Sequence, residues 1–305
     1  MSYVDHPEDW GGLPVHTFEP DGERPGGAVA WRLEVGYEDG PDDFAALLDA
    51  FLGAVDPASV SALLIGQWGG AAYEHKLPVA LLAEKLPALP NLRALFVGDL
   101  VPEECEISWI QHGDLTPVLE ALPGLETLTV RGGEGLELRP VHHTGLRDLV
   151  FESGGLPAGV VRAVGASDLP NVSSLELWLG TDNYGGDATV ADLADLLGGS
   201  KLPALRELGL RNSEIADDVA AAVAGAPVVA RLAVLDLSMG VLTDRGAAAL
   251  LAGQPLTHLA ELRLWHHYLS TAMMERLVTA LPGVAVDLDE QLDDEREDRW
   301  IAVSE

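Results

Sequence analysis

The strongest constraint on this chain is a self-similar frame that returns every 27 residues near its C-terminal end. From Leu205 the sequence reads LRELGLRNSEI, with Leu205, Leu208 and Leu210 followed by Ile215. From Leu232 it reads LAVLDLSMGVL, with Leu232, Leu235, Leu237 and Leu242 at the same offsets. From Leu259 it reads LAELRLWHHYL, with Leu259, Leu262, Leu264 and Leu269. Three in-phase copies require a stack of like units, because a fixed period of this size marks a repeat architecture. Looser copies run toward the N-terminus: Ala30, Leu33, Val35; Val60, Leu63, Ile65; Leu92, Leu95, Val97; Leu125, Leu128, Val130; Leu146, Leu149, Phe151; Val172, Leu175, Leu177. That makes about nine repeats, with Val284, Val286 and Leu288 as a tenth strand. Only 21 residues separate Leu125 from Leu146, so that unit lacks room for a full helix, whereas the 33 between Val172 and Leu205 imply an insertion.

Each unit combines two periodicities. The last two leucines of L-x-x-L-x-L are two apart and share one face of an extended strand. The segment that follows has helical spacing: Val219, Val223 and Ala226; Ala247, Leu250 and Leu251; Met273, Met274, Leu277 and Leu281. A strand and a helix of this size cannot bury their apolar faces alone, so stacking sets the strands side by side in a parallel sheet with helices behind it. Pro41-Asp42-Asp43 opens the first helix, and Thr243-Asp244 precedes another in capping positions. Leu86-Pro87, Leu122-Pro123, Leu169-Pro170 and Leu202-Pro203 stop helices before the next strand. The expected fold is an α/β solenoid, curved, with the sheet concave and the helices convex.

These repeats resemble the leucine-rich-repeat superfamily, in its ribonuclease-inhibitor-like branch of long repeats with a true helix. The resemblance is clearest over residues 202–281. It departs from the family where the usual Asn after the strand is replaced by Ser213, Gly240 and His267, so the side-chain ladder there is absent or substituted. The whole chain also resembles a bacterial family of this architecture, through CEISWIQ (105–111), LWLGTDNYGGDATVADL (177–193) and GAPVVARL (225–232). That likeness implies a shape and no mechanism.

Outside the repeats, residues 1–27 read as an N-terminal cap or extension, with Trp10, Leu13, Val15 and Phe18 available to cover the open end, and 28–288 as the solenoid. Residues 289–305 read as an acidic C-terminal tail, solvated or forming the polar edge of a cap. The net charge of −31, from 49 acidic and 18 basic residues, argues against nucleic acid or an anionic membrane as partner. It fits simple solubility or a basic protein or peptide. A single cysteine, Cys105, excludes an internal disulfide and fits a reducing cytosol. The first 27 residues hold six acids and no apolar run, so no signal peptide is expected and the setting is cytoplasmic.

The residues between the leucines face the concave side. They are Arg32 and Glu34, Leu64 and Gln67, Phe96 and Asp99, Thr129 and Arg131, Val150 and Glu152, Glu176 and Trp178, Gly209 and Arg211, Asp236 and Ser238, then Arg263, Trp265 and His266. A solvated sheet face has no need of large aromatics, and Trp and Arg are enriched in binding hot spots. Phe96, Arg131, Glu176, Trp178, Arg211, Asp236, Arg263, Trp265 and His266 are therefore the candidate partner-binding residues. The structural alternative is that the aromatics shield sheet backbone or pack against a terminal element.

Other chemistry is thin. The pairs His142-His143 and His266-His267 point to opposite faces and lack metal-binding spacing, so they are expected at the surface or in turns. Cys105 has His112 seven residues away, but the acids around it oppose thiolate formation. The loop 180–187 (GTDNYGGD) is a partner contact or a flexible turn. No phosphate loop, nucleophile elbow or dinucleotide fingerprint occurs. The expected role is a non-catalytic protein-binding module with no cofactor. The alternatives are an accessory subunit that presents a substrate to a separate enzyme, and an enzyme built around Cys105 and His112.

Overall fold

A computed structural model describes residues 4–69, 71–293 and 299–305, with 71 and 72 as backbone only. The chain forms two compact units, one ending at Glu152 and the other spanning Ser153–Ser304.

In the first unit, β1 (Asp9–Trp10) and β2 (Leu13–Thr17) form an antiparallel hairpin, and β2 continues into a parallel sheet with β3 (Ala30–Leu33), β4 (Ala62–Ile65), β5 (Ala94–Val97), β6 (Thr127–Arg131) and β7 (Asp148–Glu152). The register aligns the frame leucines: Leu63, Leu95, Leu128 and Leu149 lie opposite one another in turn. Four helices connect these strands: α1 (Pro41–Ala54), α2 (Ala71–Glu74), α3 (Val79–Lys85) and α4 (Thr116–Ala121). Helix α1 starts as its sequence requires, with Pro41 in the first turn and the Asp43 carboxylate accepting from Gly40 N at 2.8 Å. The short unit after β6 has no helix among the described residues and uses bridges from Gln111 to Glu134 and Asp114 to Glu137 instead.

The second unit carries α5 (Ala158–Ala166), then β8 (Ser174–Gly180), α6 (Ala194–Gly198), β9 (Glu207–Ser213), α7 (Ala216–Val223), β10 (Val234–Asp236), α8 (Asp244–Ala252), β11 (Glu261–Arg263), α9 (Thr271–Ala280) and β12 (Ala285–Asp287). Leu175, Leu208, Leu235, Leu262 and Val286 are mutually in register across its parallel strands. The helices bury the residues that helical spacing assigns to one face, including Val219, Val223, Ala247, Leu250, Met273 and Leu277. Thr243 caps α8 by accepting from Arg245 N. Both units are leucine-rich-repeat solenoid, with nine frames giving β3–β11 and the tenth giving β12.

The missing asparagines are replaced in three ways. Ser213 Oγ accepts from Ile215 N at 3.2 Å, and His267 Nδ1 accepts from Leu269 N at 3.1 Å while its Nε2–H donates to Leu288 O at 3.1 Å. Gly240 has no side chain, and Asp217 reaches across from α7 instead. Its carboxylate accepts from Thr243 N (2.8 Å), Gly246 N (3.0 Å) and Thr243 Oγ1 (2.6 Å). Four histidines, His112, His143, His266 and His267, are thus buried. His143 bonds Leu122 O and Leu146 N, His112 Nε2 bonds Arg131 O at 2.8 Å, and burial lowers the pKa of His112, His143 and His267. Only His142 of the first pair is exposed.

The chain end also departs from a solvated tail. Asn212, Met239 and His266 turn the chain in left-handed conformation at 27-residue spacing, and each N–H donates to the following repeat, at Ser238 O, Trp265 O and Asp289 O. Residues 300–303 run back along these corners. His266 Nε2 bonds Trp300 O at 3.2 Å, Ala302 N donates to Met239 O at 2.8 Å, and Val303 N donates to Asn212 Oδ1 at 3.0 Å. Ile301 and Val303 are buried. Residues 294–298 of the expected tail, four acids and an arginine, lie outside the described residues.

Candidate functional site

Six of the nine candidate residues converge in the second unit. β8, β9, β10 and β11 place Glu176 and Trp178, Arg211, Asp236, then Arg263 and Trp265 on one side of the sheet, because alternate strand residues share a face and the register is unbroken. Arg211 is the centre. Its guanidinium lies 5.5 Å from the Trp178 ring and 5.5 Å from the Trp265 ring, a cation between two π faces. Arg211 NH1 donates to Glu176 Oε1 at 2.5 Å, and its Nε donates to Ser238 Oγ at 3.1 Å with Asp236 at 3.4 Å. Trp178 Nε1 donates to the same Glu176 oxygen at 2.5 Å. Burial raises the Asp236 carboxyl above its ordinary value against the pull of Arg211. At the margin Arg263 donates to Glu261 at 2.6 Å, which raises Arg263 and lowers Glu261.

The cluster is layered. Trp178, at 2% exposure, and Asp236 form the floor, whereas Trp265, Glu176, Arg263 and Glu261 are partly open. This corrects the expectation of an openly displayed Trp178: the indole is covered by the arginine of the neighbouring strand. A single strand's pattern cannot show that cover.

The other three candidates lie elsewhere. Phe96 and Arg131 belong to the first unit and are fully buried. The N-terminal hairpin closes on Phe96: Trp10 packs 5.2 Å from its ring, over Ala30, Ala62, Leu64 and Ala94. The Arg131 guanidinium lies 5.2 Å from the Phe96 ring centre and donates to Glu152 and Leu100 O, both at 2.7 Å. This face needs cover because its strand residues are apolar and small. Gly11 and Gly12, both at positive φ, make the two-residue turn of the hairpin, the strongest local signal for such a cap. The packing alternative therefore describes Phe96. His266 points away from the cluster into the C-terminal segment, bonding Trp300 O.

One group escaped the sequence reading. His6 sits between Asp99 (3.4 Å) and Glu104 (3.3 Å), whose hydrogen bonds raise its pKa to about 9. Asp99 also takes the buried Arg32. Burial alone raises the Asp99 carboxyl, but hydrogen bonds and charge from His6 and Arg32 carry it below its ordinary value. The Cys105 thiol is pushed up to about 12, first by burial and then by Glu106 and Glu104, the opposite of an activated nucleophile. Loop 180–187 packs on the chain at Gly154–Gly155, and Asp187 caps α5 by accepting from Ala158 N at 2.7 Å. Among the described residues no cluster of His, Cys, Asp and Glu could hold a metal ion, and no helix is long and apolar enough to cross a membrane.

A Bacteroides fragilis protein of known crystal structure superposes with a TM-score of 0.78 at 30% identity, covering 90% of this chain and 76% of that one. The TLR13–ssRNA13 complex and an internalin, InlF, from Listeria monocytogenes each match at 15% identity, with TM-scores of 0.35 and 0.28. They cover 81% and 75% of this chain, and 35% and 72% of their own. No family model matches the sequence, and no curated protein does.

Proposed function

The chain belongs to the same family as that Bacteroides fragilis protein, and on this premise we propose that it is a non-catalytic binding scaffold for a protein or peptide. The contact face is the rim of the Arg211 cluster in the second unit. One observation carries the reading: Arg211 is fixed between Trp178 and Trp265 and held by Glu176, Asp236 and Ser238. A face that served only to meet water would not need two indoles, two guanidiniums and three carboxylates locked together. Side chains already immobilised lose little entropy when a partner docks, and Trp and Arg are the residues on which binding energy concentrates.

Helices in most repeats support placing the chain in the ribonuclease-inhibitor-like branch, and the lone protonated Cys105 suits a cytoplasmic setting without thiol chemistry. Phe96 contributes stability beneath the hairpin, Arg131 does so through Glu152 and Leu100 O, and His266 anchors the chain end.

The test is affinity capture from native lysate with wild type, a Trp265→Ala, Arg263→Ala variant, and a Val278→Ser control on the exposed side of α9. All three should match in circular dichroism. A partner lost by the rim variant and kept by the control supports the reading. Equal retention by all three defeats it.

A further inference from the structure

A short segment near the start of the chain lies on the sheet of the first unit as a ligand would. The face it covers is apolar: Ala62 stands opposite Ala94, and Leu64 opposite Phe96, across β4 and β5. Alanines at two facing positions let a backbone approach. The tip of the N-terminal hairpin uses that room, since a Cβ on Gly11 would stand 3.1 Å from Ala94 Cβ and 3.2 Å from Ala62 Cβ. Trp10 then fills the seat over Ala62, Leu64, Ala94 and Phe96. Four residues earlier His6 reaches between Asp99 (3.4 Å) and Glu104 (3.3 Å). The segment thus presents one cation and one ring, in that order, to a carboxylate pair and an apolar floor.

Its backbone attachment is slight. β1 pairs with β2 over two residues only, Asp9 with Pro14 and Trp10 with Leu13, and Pro14 has no N–H to give. Among the described residues no backbone–backbone hydrogen bond joins 4–7 to the rest of the chain, and Glu8 O accepts one, from Val15 N at 2.8 Å. β2, by contrast, is fixed in the parallel sheet beside β3. Gly11 and Gly12, both at positive φ, stand between the fixed strand and the covering segment. Rotation at these two glycines lifts residues 4–10 and leaves β2 in place.

The seat also fits its occupant imperfectly. Trp10 is 6% exposed, and its Nε1–H has no acceptor among the described residues. A buried donor left unpaired is unfavourable. A competing segment whose ring lacks that donor avoids the penalty.

We propose that this face of the first unit is a docking groove for an extended segment of a partner protein, one that carries a cationic side chain four residues before a large apolar ring. Residues 4–10 occupy the groove in cis until such a segment displaces them. Asp99 and Glu104 take the cation, and Arg32 Nε, donating to Asp99 at 2.9 Å, holds that carboxylate in position. The occupant is inferred from the segment already seated there, because whatever replaces it meets the same carboxylates and the same floor. The groove is separate from the Arg211 rim and does not depend on it.

The probe is a fluorescein-labelled peptide, Gly-Ser-Lys-Pro-Gly-Ser-Phe-Gly-Gly, which keeps the spacing of His6 and Trp10. Fluorescence anisotropy follows its binding to three full-length chains. They are wild type, a His6→Gln, Trp10→Ser variant whose own segment no longer seats, and that variant with Ala62→Glu added. Removing the cis competitor raises the fraction of open groove, so the double variant should bind the peptide about tenfold or more tightly than wild type. Ala62→Glu should abolish that gain, and a peptide with Lys and Phe exchanged should bind the double variant about tenfold or more weakly. Wild type gives a readout free of any variant's folding. Excess peptide, which has no indole, should speed solvent exchange of the Trp10 indole N–H by about tenfold or more. Equal affinity of wild type and double variant, equal binding of the two peptides, or an indole N–H that exchanges no faster with peptide present would overturn the proposal. So would failure of the double variant to bind while it keeps the circular dichroism of wild type. If that variant does not fold, the indole exchange in wild type decides alone.

Discussion

Replacing Asp217 with alanine tests whether the substituted ladder holds neighbouring repeats together. The carboxylate is buried and accepts from two backbone N–H groups and one hydroxyl of the next repeat, with Arg245 Nε at 3.1 Å from the solvent side. Hydrogen bonds to a charged group contribute about 1.5–3 kcal/mol each, and donors left without a partner add their own penalty. Water reaching the site beside the exposed Arg245 offsets part of the loss. The expected cost is therefore about 3–5 kcal/mol, the range for breaking a buried ionic contact by removing one partner. Asp217→Asn keeps one acceptor and should cost about 1–2 kcal/mol. Equilibrium urea unfolding followed by circular dichroism measures both, and Thr243→Val added to Asp217→Ala should cost little more because the two share one interaction. A loss below about 1 kcal/mol for the alanine variant would show that α8 is positioned without this carboxylate.

Gly246→Ala should lower the melting temperature, since a Cβ there would stand 2.5 Å from Asp217 Oδ1 and 2.9 Å from its Cα; overpacking of this kind costs about 1–3 kcal/mol. Cys105, its thiol held at about 12 by burial first, should react with iodoacetamide at pH 8 far more slowly in the folded than in the unfolded chain, and equal rates would contradict its burial. His6 has its pKa raised from 6.5 to about 9, so its attachment to Asp99 and Glu104 is fully present below pH 6.5 and is lost as pH rises through about 9. Proteolysis near residues 4–8 should accelerate across that window in wild type and be flat with pH in His6→Gln.

The repeat was legible because its signal is local: leucines two and three apart give strand and helix faces whatever surrounds them. The nine frames followed from that alone, and the helix starts at Pro41 and Thr243 from the residue types standing there. The surface was less legible, because exposure depends on what another segment covers. Phe96 reads as an open aromatic until Trp10, more than 80 residues earlier, folds over it. Trp178 reads the same way until Arg211 from the next strand lies across its ring. Gly11-Gly12 after a tryptophan was a readable hairpin signal, but nothing in it says which face the hairpin covers. The second unit's cluster was legible as a set of residue types, while its layering into floor and rim was not.

The returning segment at 300–303 changes how the second unit can come apart. Stacked repeats ordinarily behave as a one-dimensional array, in which the terminal repeat frays first and the loss travels inward. Here Val303 is bonded to Asn212 across 91 residues, with Ala302 on Met239 and Trp300 on His266 between them. The final strand and helix cannot peel away without also releasing corners of the two repeats before them. Opening therefore becomes a collective event, and amide protons of β12 should exchange with solvent on a timescale close to those of β9 instead of far faster.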